Sequence, residues 1–358
     1  MDGSLPVHFN PVEKDFAPRR EYLSLSHKLL LSLMWVKTLL TLAFSIYGVA
    51  ALAQRPVIFD TDMGPDYDDV GAITLLHAFA DSGQVKILAT VASTNYEGVA
   101  GVLEVFNTYF RRPHLPIGVP HRNGLLLRDN QHWTDTLLAR YPHTLQHNAG
   151  VPDAVTVYRK VLATQPDHSV TIISVGFFTN LANLLQSPPD QYSHLNGTQL
   201  VQRKVKQLVS MAGQFPAGKE FNVAMDTASS AYVFAHWPTR LLFSGYEIGE
   251  KIKTGLPLIQ DTHITHSPVK DVFNLSIPLA AEDREGRMSW DESTVLVGCK
   301  DPLTYYTLQP GHIVLHADGS NSWDTSGKQQ AYLVEKTSPA TVQAYINQLM
   351  KHQPKHHK

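Results

Sequence analysis

Apolar residues along this chain follow two alternating rhythms. Short runs rich in β-branched and aromatic residues predict buried strands: Val57-Ile58-Phe59, Val85 to Val91 (VKILATV), Leu115 to Val119, Ser169 to Val175 (SVTIISV) and Val205 to Met211. Between them, segments whose apolar residues recur three and four apart predict helices: Val70, Ile73 and Leu76; Val99, Val102, Val105 and Phe106 within Gly98 to Phe110; and Val155 to Leu162. Thr179 and Asn180 read as the capped start of another helix, and Asp226 as the cap of one carrying Ala228, Ala231 and Val233. Strand and helix in alternation predict an α/β fold, a mostly parallel open sheet flanked by helices and joined by right-handed crossovers. Further on, Ile313-Val314-Leu315 and Ala331 to Val334 read as a hairpin turned at Asp318-Gly319-Ser320, followed by a helix capped by Ser338 with Pro339 in its first turn.

Residues 120–150 break the rhythm. They are polar and aromatic, with His121, Arg122, Gln131, His132, Trp133, Tyr141 and His143, and a loop of this length inside a domain is usually functional. It reads as a lid over a substrate with Trp133 as its stacking residue, although core packing accounts equally well for a lone aromatic.

Charge and the chain start narrow the class. Thirty basic and 32 acidic side chains in 358 residues are too evenly balanced for electrostatic capture of nucleic acid, which leaves a small molecule or a protein as partner. The single Cys299 excludes an intrachain disulfide framework and a cysteine-based zinc site. From Met34 the chain reads MWVKTLLTLAFSIYGVAALAQ, one lysine and an apolar run ending in Ala51-Leu52-Ala53 before Gln54. That is a secretory signal pattern, short for a membrane span, with an uncleaved anchor as the alternative. The expected organisation is therefore an extension and signal over residues 1–53, with Met34 an alternative start and cleavage after Ala53. A single domain over 54–350 and a flexible His/Lys-rich tail over 351–358 (His352, His356, His357) follow. The mature domain is expected to be exported, to a bacterial periplasm or beyond, free of the membrane after cleavage; a homo-oligomer is compatible with the sequence.

The chemistry concentrates in Arg55 to Leu76, RPVIFDTDMGPDYDDVGAITLL. Asp60, Asp62, Asp66, Asp68 and Asp69 lie between an apolar strand and the start of a helical pattern, with Gly64 and Pro65 at the turn. A strand that ends in acids places them at the carboxyl edge of the sheet, where open α/β folds build their sites. Like charges packed so closely raise one another's pKa unless a cation sits among them. Oxygen ligands without nearby Cys or His favour a hard cation, Ca²⁺ before Mg²⁺.

This segment resembles the amino-terminal metal motif of the inosine-uridine preferring nucleoside hydrolases, Asp-x-Asp-x-Gly followed by an Asp-Asp pair, with two extra residues between Gly64 and Asp68-Asp69. Four further elements resemble the family in order. Asn95 ends a strand. Gly176-Phe177-Phe178-Thr179-Asn180-Leu181-Ala182 is similar to the Gly-x-Leu-Thr-Asn-Leu-Ala element, preceded here by Val175. Glu220-Phe221-Asn222 matches the ribose-clamp triplet, read as an extended segment with both polar side chains on one side, and Gln214 stands where the family has Asn. Trp290-Asp291 stands at the carboxyl-terminal His-Asp element, with Trp in place of His; Asp301-Pro302 is a second-ranked match.

The resemblance implies a Rossmann-like core and hydrolysis of the N-glycosidic bond of ribonucleosides. It implies Ca²⁺ held by Asp62, Asp69, the Val175 carbonyl and Asp291, with the insertion leaving Asp66 and Asp68 as rivals for one further place. Asp62 is the implied general base. Asn95, Asp68, Gln214, Glu220 and Asn222 are implied to hold the ribose, and Trp290, with Trp133, to stack on a purine. Arg284 and Arg287 either line the pocket or are solvated. Two other readings fit the same residues: a secreted Ca²⁺-dependent sugar- or nucleoside-binding protein without turnover, and a glycosidase acting on a non-nucleoside glycoside.

Overall fold

Each apolar run forms a strand of one sheet, and the acids end up where the sheet changes direction. The computed structural model describes Gly3, residues 54–327 and residues 329–354; the signal pattern, His356 and His357 lie outside the described residues. From Gln54 onward the elements are β1 (Arg55–Thr61), α1 (Asp68–Asp81), β2 (Val85–Ala92), α2 (Val99–Tyr109), β3 (Ile117–Gly118), α3 (Trp133–Arg140), α4 (Ala154–Ala163), β4 (Val170–Ser174), α5 (Thr179–Gln186) and α6 (Gly197–Lys204). Then come β5 (Val205–Met211), β6 (Ala217–Gly218), α7 (Phe221–Met225), α8 (Thr227–His236), β7 (Arg240–Ser244), α9 (Tyr246–Gly249), β8 (Lys253–Thr254), α10 (Leu256–Ile259) and α11 (Pro268–Ser276). The last are β9 (Arg287–Met288), α12 (Trp290–Cys299), β10 (Tyr306–Leu315), β11 (Asn321–Asp324), β12 (Gln330–Glu335) and α13 (Pro339–Met350).

The sheet runs β3-β2-β1-β4-β5-β7-β12-β10-β11-β6. Strands from β3 to β12 are parallel to their neighbours, and β10, β11 and β6 add an antiparallel margin. β8 and β9 form a separate two-stranded ribbon. Strand order reverses between β1 and β4, so a crevice opens at their carboxyl ends, the usual ligand position of such a sheet. Period-two alternation explains the two-sided core. Val57 and Phe59 of β1 face one cluster with Val70, Ile73, Val102, Leu296 and Ile346, while Ile58 faces the other with Val157, Leu181, Leu200 and Val233. Each such aliphatic side chain withdrawn from water contributes roughly 1.5–3 kcal/mol.

Helix α12 lies along α1 at close range, because a Cβ at Gly71 would fall on the Glu292 carboxylate. That approach brings Asp291 beside Asp68 and Asp69 from far along the chain, with the Asp291 amide donating to Asp68 Oδ2 at 3.3 Å. Gly64 turns the acidic loop at φ +152°, where a Cβ would strike the Tyr96 ring.

Three expectations change. The turn at 318–320 joins β10 to β11, not to β12; β12 pairs with the first half of β10 instead. Residues 120–150 contain α3 and pack on the end of β2, with Asn95 N donating to Leu125 O at 2.7 Å. The tail is fixed as far as His352, whose Nε2 lies 2.7 Å from Asp81 Oδ2 and whose ring stacks on Phe110.

Candidate active site

A cavity of about 320 Å³ opens at the β1/β4 switch. Its walls bring together Asp62, Asp66, Asp68, Val175, Glu220, Asn222, Trp290 and Asp291, all expected from the sequence, with Met211, Phe221, Tyr246, Glu282, Arg287 and Met288. Asp69 is buried behind them, its Oδ1 taking the Thr61 hydroxyl and its Oδ2 without a hydrogen-bond partner among the described residues. A larger cavity, about 680 Å³, lies at the β3 edge between Leu115, Ile117, Val151 and Val157; it holds none of the expected site residues.

The electrostatics are those of acids crowded out of water. Burial first, then the Asp69 and Asp66 charges, hold the Asp62 carboxyl well above the ordinary carboxylate range. Asp69 is pushed up to about 7 by burial and by Asp68, against the Thr61 hydrogen bond. Burial and the neighbouring aspartates raise Asp291 as well. Asp60, under the site, is pushed up to about 7 by burial, although Tyr158 Oη donates to it at 2.7 Å and Asn180 Nδ2 at 3.2 Å.

This donor set fits a hard cation. It is all oxygen, it includes the orphaned Asp69 Oδ2, and its members repel one another. The carboxylates are not drawn into one ready nest: among the described residues no three His, Cys, Asp or Glu side chains converge as metal ligands do. Arg287 draws Asp66 and Asp68 to itself, with Nη2 at 2.7 Å from Asp66 Oδ2 and 2.8 Å from Asp68 Oδ1. The Val175 carbonyl accepts from Asn222 Nδ2 at 3.2 Å and keeps a second lone pair.

The Glu220-Phe221-Asn222 triplet is not extended. The Glu220 carboxylate caps α7, accepting from the amides of Asn222 (2.6 Å), Val223 (3.1 Å) and Gly213 (3.2 Å), so the chain turns into a helix. Burial still pushes Glu220 up to about 7. Trp290 lines the same cavity. Its indole N–H donates to Tyr246 O at 2.8 Å, and the two rings lie with centroids 5.2 Å apart.

Three expected site residues stand away from the cavity lining. Asn95 Oδ1 accepts from Asn148 Nδ2 at 3.1 Å. Gln214 Oε1 accepts from Lys219 N at 3.2 Å, its side chain folded against Gly218. Trp133 is fully buried in the core at the start of α3 and stacks on no ligand wall. Trp133→Ala is expected to cost about 3–5 kcal/mol in urea unfolding, with KM for substrate unchanged; a raised KM at unchanged stability would restore the stacking role. Arg284 is exposed and Asp301 caps a turn through Leu303 N, so neither belongs to the site. Sequence reasoning missed Glu292, which is fully buried under Gly71 with neither carboxylate oxygen partnered among the described residues. Its adjacency to Asp291 was the one available signal.

The family model for inosine-uridine preferring nucleoside hydrolase matches residues 57–347. The chain belongs to this family. It is similar to the pyrimidine-specific ribonucleoside hydrolase RihA of Salmonella agona (strain SL483), at 28% identity over 288 residues, 76% of this chain and 85% of that protein. Its fold is that of the plant nucleoside hydrolase PpNRh1 enzyme (21% identity, TM-score 0.61, 83% of this chain and 99% of that one). It is also that of the purine-preferring ribonucleoside hydrolase from Gardnerella vaginalis (15% identity, TM-score 0.66, 83% and 99%). As a nucleoside hydrolase the chain is a hydrolase acting on N-glycosyl bonds of small-molecule nucleosides, in a family that depends on a metal ion, usually Ca²⁺.

Proposed function

We propose that this nucleoside hydrolase is Ca²⁺-dependent, releases free base from ribonucleosides and favours purines. The observation that carries the reading is the cavity at the strand-order switch, whose lining combines the acids Asp62, Asp68, Glu220 and Asp291 with Asn222 and the aromatic rings of Trp290 and Tyr246. Asp62, Asp69, Asp291 and the Val175 carbonyl would hold the cation. When bound, it supplies Lewis acidity that lowers the pKa of water.

The protein's own groups do the rest. Asp62, a carboxylate lining the cavity beside the expected cation, takes a proton from the attacking water. Asp68 and Asn222 line the cavity where sugar hydroxyls would sit, and Glu220 fixes the α7 backbone that presents Asn222. Carboxylates on several sides favour the positive charge that grows on the sugar as the bond to the base breaks. Trp290 has no proton to give a leaving base, since its N–H is committed to Tyr246 O. Its fixed ring, backed by Tyr246, suits a flat aromatic base of purine size. The signal pattern from Met34 to Ala53 supports an exported enzyme.

The test compares purine and pyrimidine nucleosides on the purified full chain. Inosine or adenosine is expected to exceed uridine and cytidine in kcat/KM by about tenfold or more, the scale of modest pocket discrimination. Uridine cleaved faster than inosine would reverse the substrate assignment. Calcium binding without turnover on any nucleoside would favour a binding protein or a glycosidase of another class.

A further inference from the structure

The acidic loop carries two more residues than its family motif and so one more acid than the chemistry above employs. The extra charge is matched by an arginine. Arg287 is only 8% exposed, is held on the β8/β9 ribbon opposite Thr254, and reaches three carboxylates. Its Nε and Nη2 both donate to Asp68 Oδ1, at 3.1 and 2.8 Å. Nη2 also lies 2.7 Å from Asp66 Oδ2, and Nη1 is 3.8 Å from Asp283 Oδ2. The guanidinium is flanked by the Tyr67 and Trp290 rings at 5.1 and 5.2 Å from their centroids, and Tyr67 Oη donates to Asp283 Oδ2 at 2.6 Å. A buried charge so fully partnered is a built feature.

Lone-pair accounting shows what this does to Asp68. Two guanidinium N–H groups occupy Oδ1, and the Asp291 amide takes one site on Oδ2. A carboxylate offers about four acceptor sites, so Asp68 keeps at most one, too few for bidentate metal ligation and sufficient for a single contact such as one hydroxyl. Asp66 stands at the cavity mouth with its side chain 44% exposed and Oδ2 on the arginine.

We propose that Arg287 is a positioning residue that divides the acidic cluster. It assigns Asp66 and Asp68 to an arginine-held half, in which Asp68 presents a single acceptor to the sugar, and leaves Asp62, Asp69, Asp291 and the Val175 carbonyl for the cation. The assignment deepens the nucleosidase reading and rests on it for the word sugar; the division of the carboxylates does not.

The division has a signature that a structural role lacks. A fixed positive charge within the cluster opposes a divalent cation while it orders the substrate ligand, so its removal moves the two functions in opposite directions. Calorimetric titration of the chelator-stripped full chain with Ca²⁺ is expected to show Arg287→Gln binding on the order of tenfold tighter than wild type. The same variant with saturating Ca²⁺ is expected to raise KM for its best nucleoside by about tenfold or more, the loss of one charge-fixed contact. Arg287→Lys keeps the charge without the planar fork and should leave Ca²⁺ affinity near that of wild type while KM stays raised. Asp66→Asn, at a half-buried position, tests the same division in a variant that keeps the core intact, and should weaken Ca²⁺ binding by no more than about threefold.

Weaker or unchanged Ca²⁺ binding by Arg287→Gln would overturn the proposal, as would a loss beyond about tenfold in Asp66→Asn, which would make Asp66 a metal ligand. Should Arg287→Gln not fold, the other two variants decide. Absence of Ca²⁺ uptake by the wild-type chain overturns the division outright. Uptake without turnover on any nucleoside overturns the nucleosidase reading alone, and the calorimetric shifts then decide the division.

Discussion

Asp62→Asn is expected to lower kcat for nucleoside cleavage by about 10³-fold, the scale of losing a general base in a preorganised site. The chain should remain folded. Asp62 is 5% exposed, lines the cavity at the end of β1, and carries a charge opposed first by burial and then by Asp69 and Asp66. Asparagine keeps its shape and removes the repulsion, so in the presence of chelator the variant's melting temperature should rise by a few degrees, roughly the effect of one kcal/mol in a domain of this size. Loss of activity with gain of stability is the pattern of a functional residue held against its own preference. The paired measurement is base release at saturating substrate and thermal unfolding of the same preparation. Activity above about a tenth of wild type would move the base to another group.

The second large effect is on stability against pH and calcium. Asp60, Asp69 and Glu220 are all held at about 7, mainly by burial, whereas unfolded carboxyls titrate near 4. Between these limits the native chain binds protons that the unfolded chain does not, so stability is full below about pH 4 and is lost as pH rises through about 7. In chelator the melting temperature should therefore fall between pH 5 and pH 8, by about 2–8 °C for one to two kcal/mol. Saturating Ca²⁺ should reduce the fall, since a cation at Asp62, Asp69 and Asp291 replaces the protons there and adds about 2.7 kcal/mol at a hundredfold excess over Kd. It should not abolish the fall, because Asp60 answers to Tyr158 and Asn180 and Glu220 to the α7 backbone. A melting temperature flat in pH, or blind to Ca²⁺ at pH 8, would contradict the electrostatic picture.

Much of this was legible in the sequence because the informative signals are local. The strand runs and the acids after Phe59 fix the β1 edge, and short motifs place Val175 and Asp291 beside it. What was hidden depends on residues far apart in the chain. Arg287 meets Asp68 across 219 positions, and nothing in either segment announces the pair. Asn95 and Gln214 occupy expected positions in order, but their side chains follow Asn148 and Lys219 instead of the cavity. Glu-Phe-Asn alternates as an extended segment would, yet the Glu220 carboxylate satisfies three backbone amides and turns the chain helical. The hairpin departs from the apolar pattern because Pro310 and Gly311 interrupt the rhythm of β10, whose first half pairs with β12 and second half with β11.

The most direct measurement is release of free base and ribose from a panel of purine and pyrimidine nucleosides by the full chain, with Ca²⁺ and with chelator. Turnover present with Ca²⁺, absent with chelator and restored by adding Ca²⁺ back is the predicted result. Equal turnover under both conditions, or none on any nucleoside while Ca²⁺ is bound, would contradict a Ca²⁺-dependent nucleosidase at the Asp62 site.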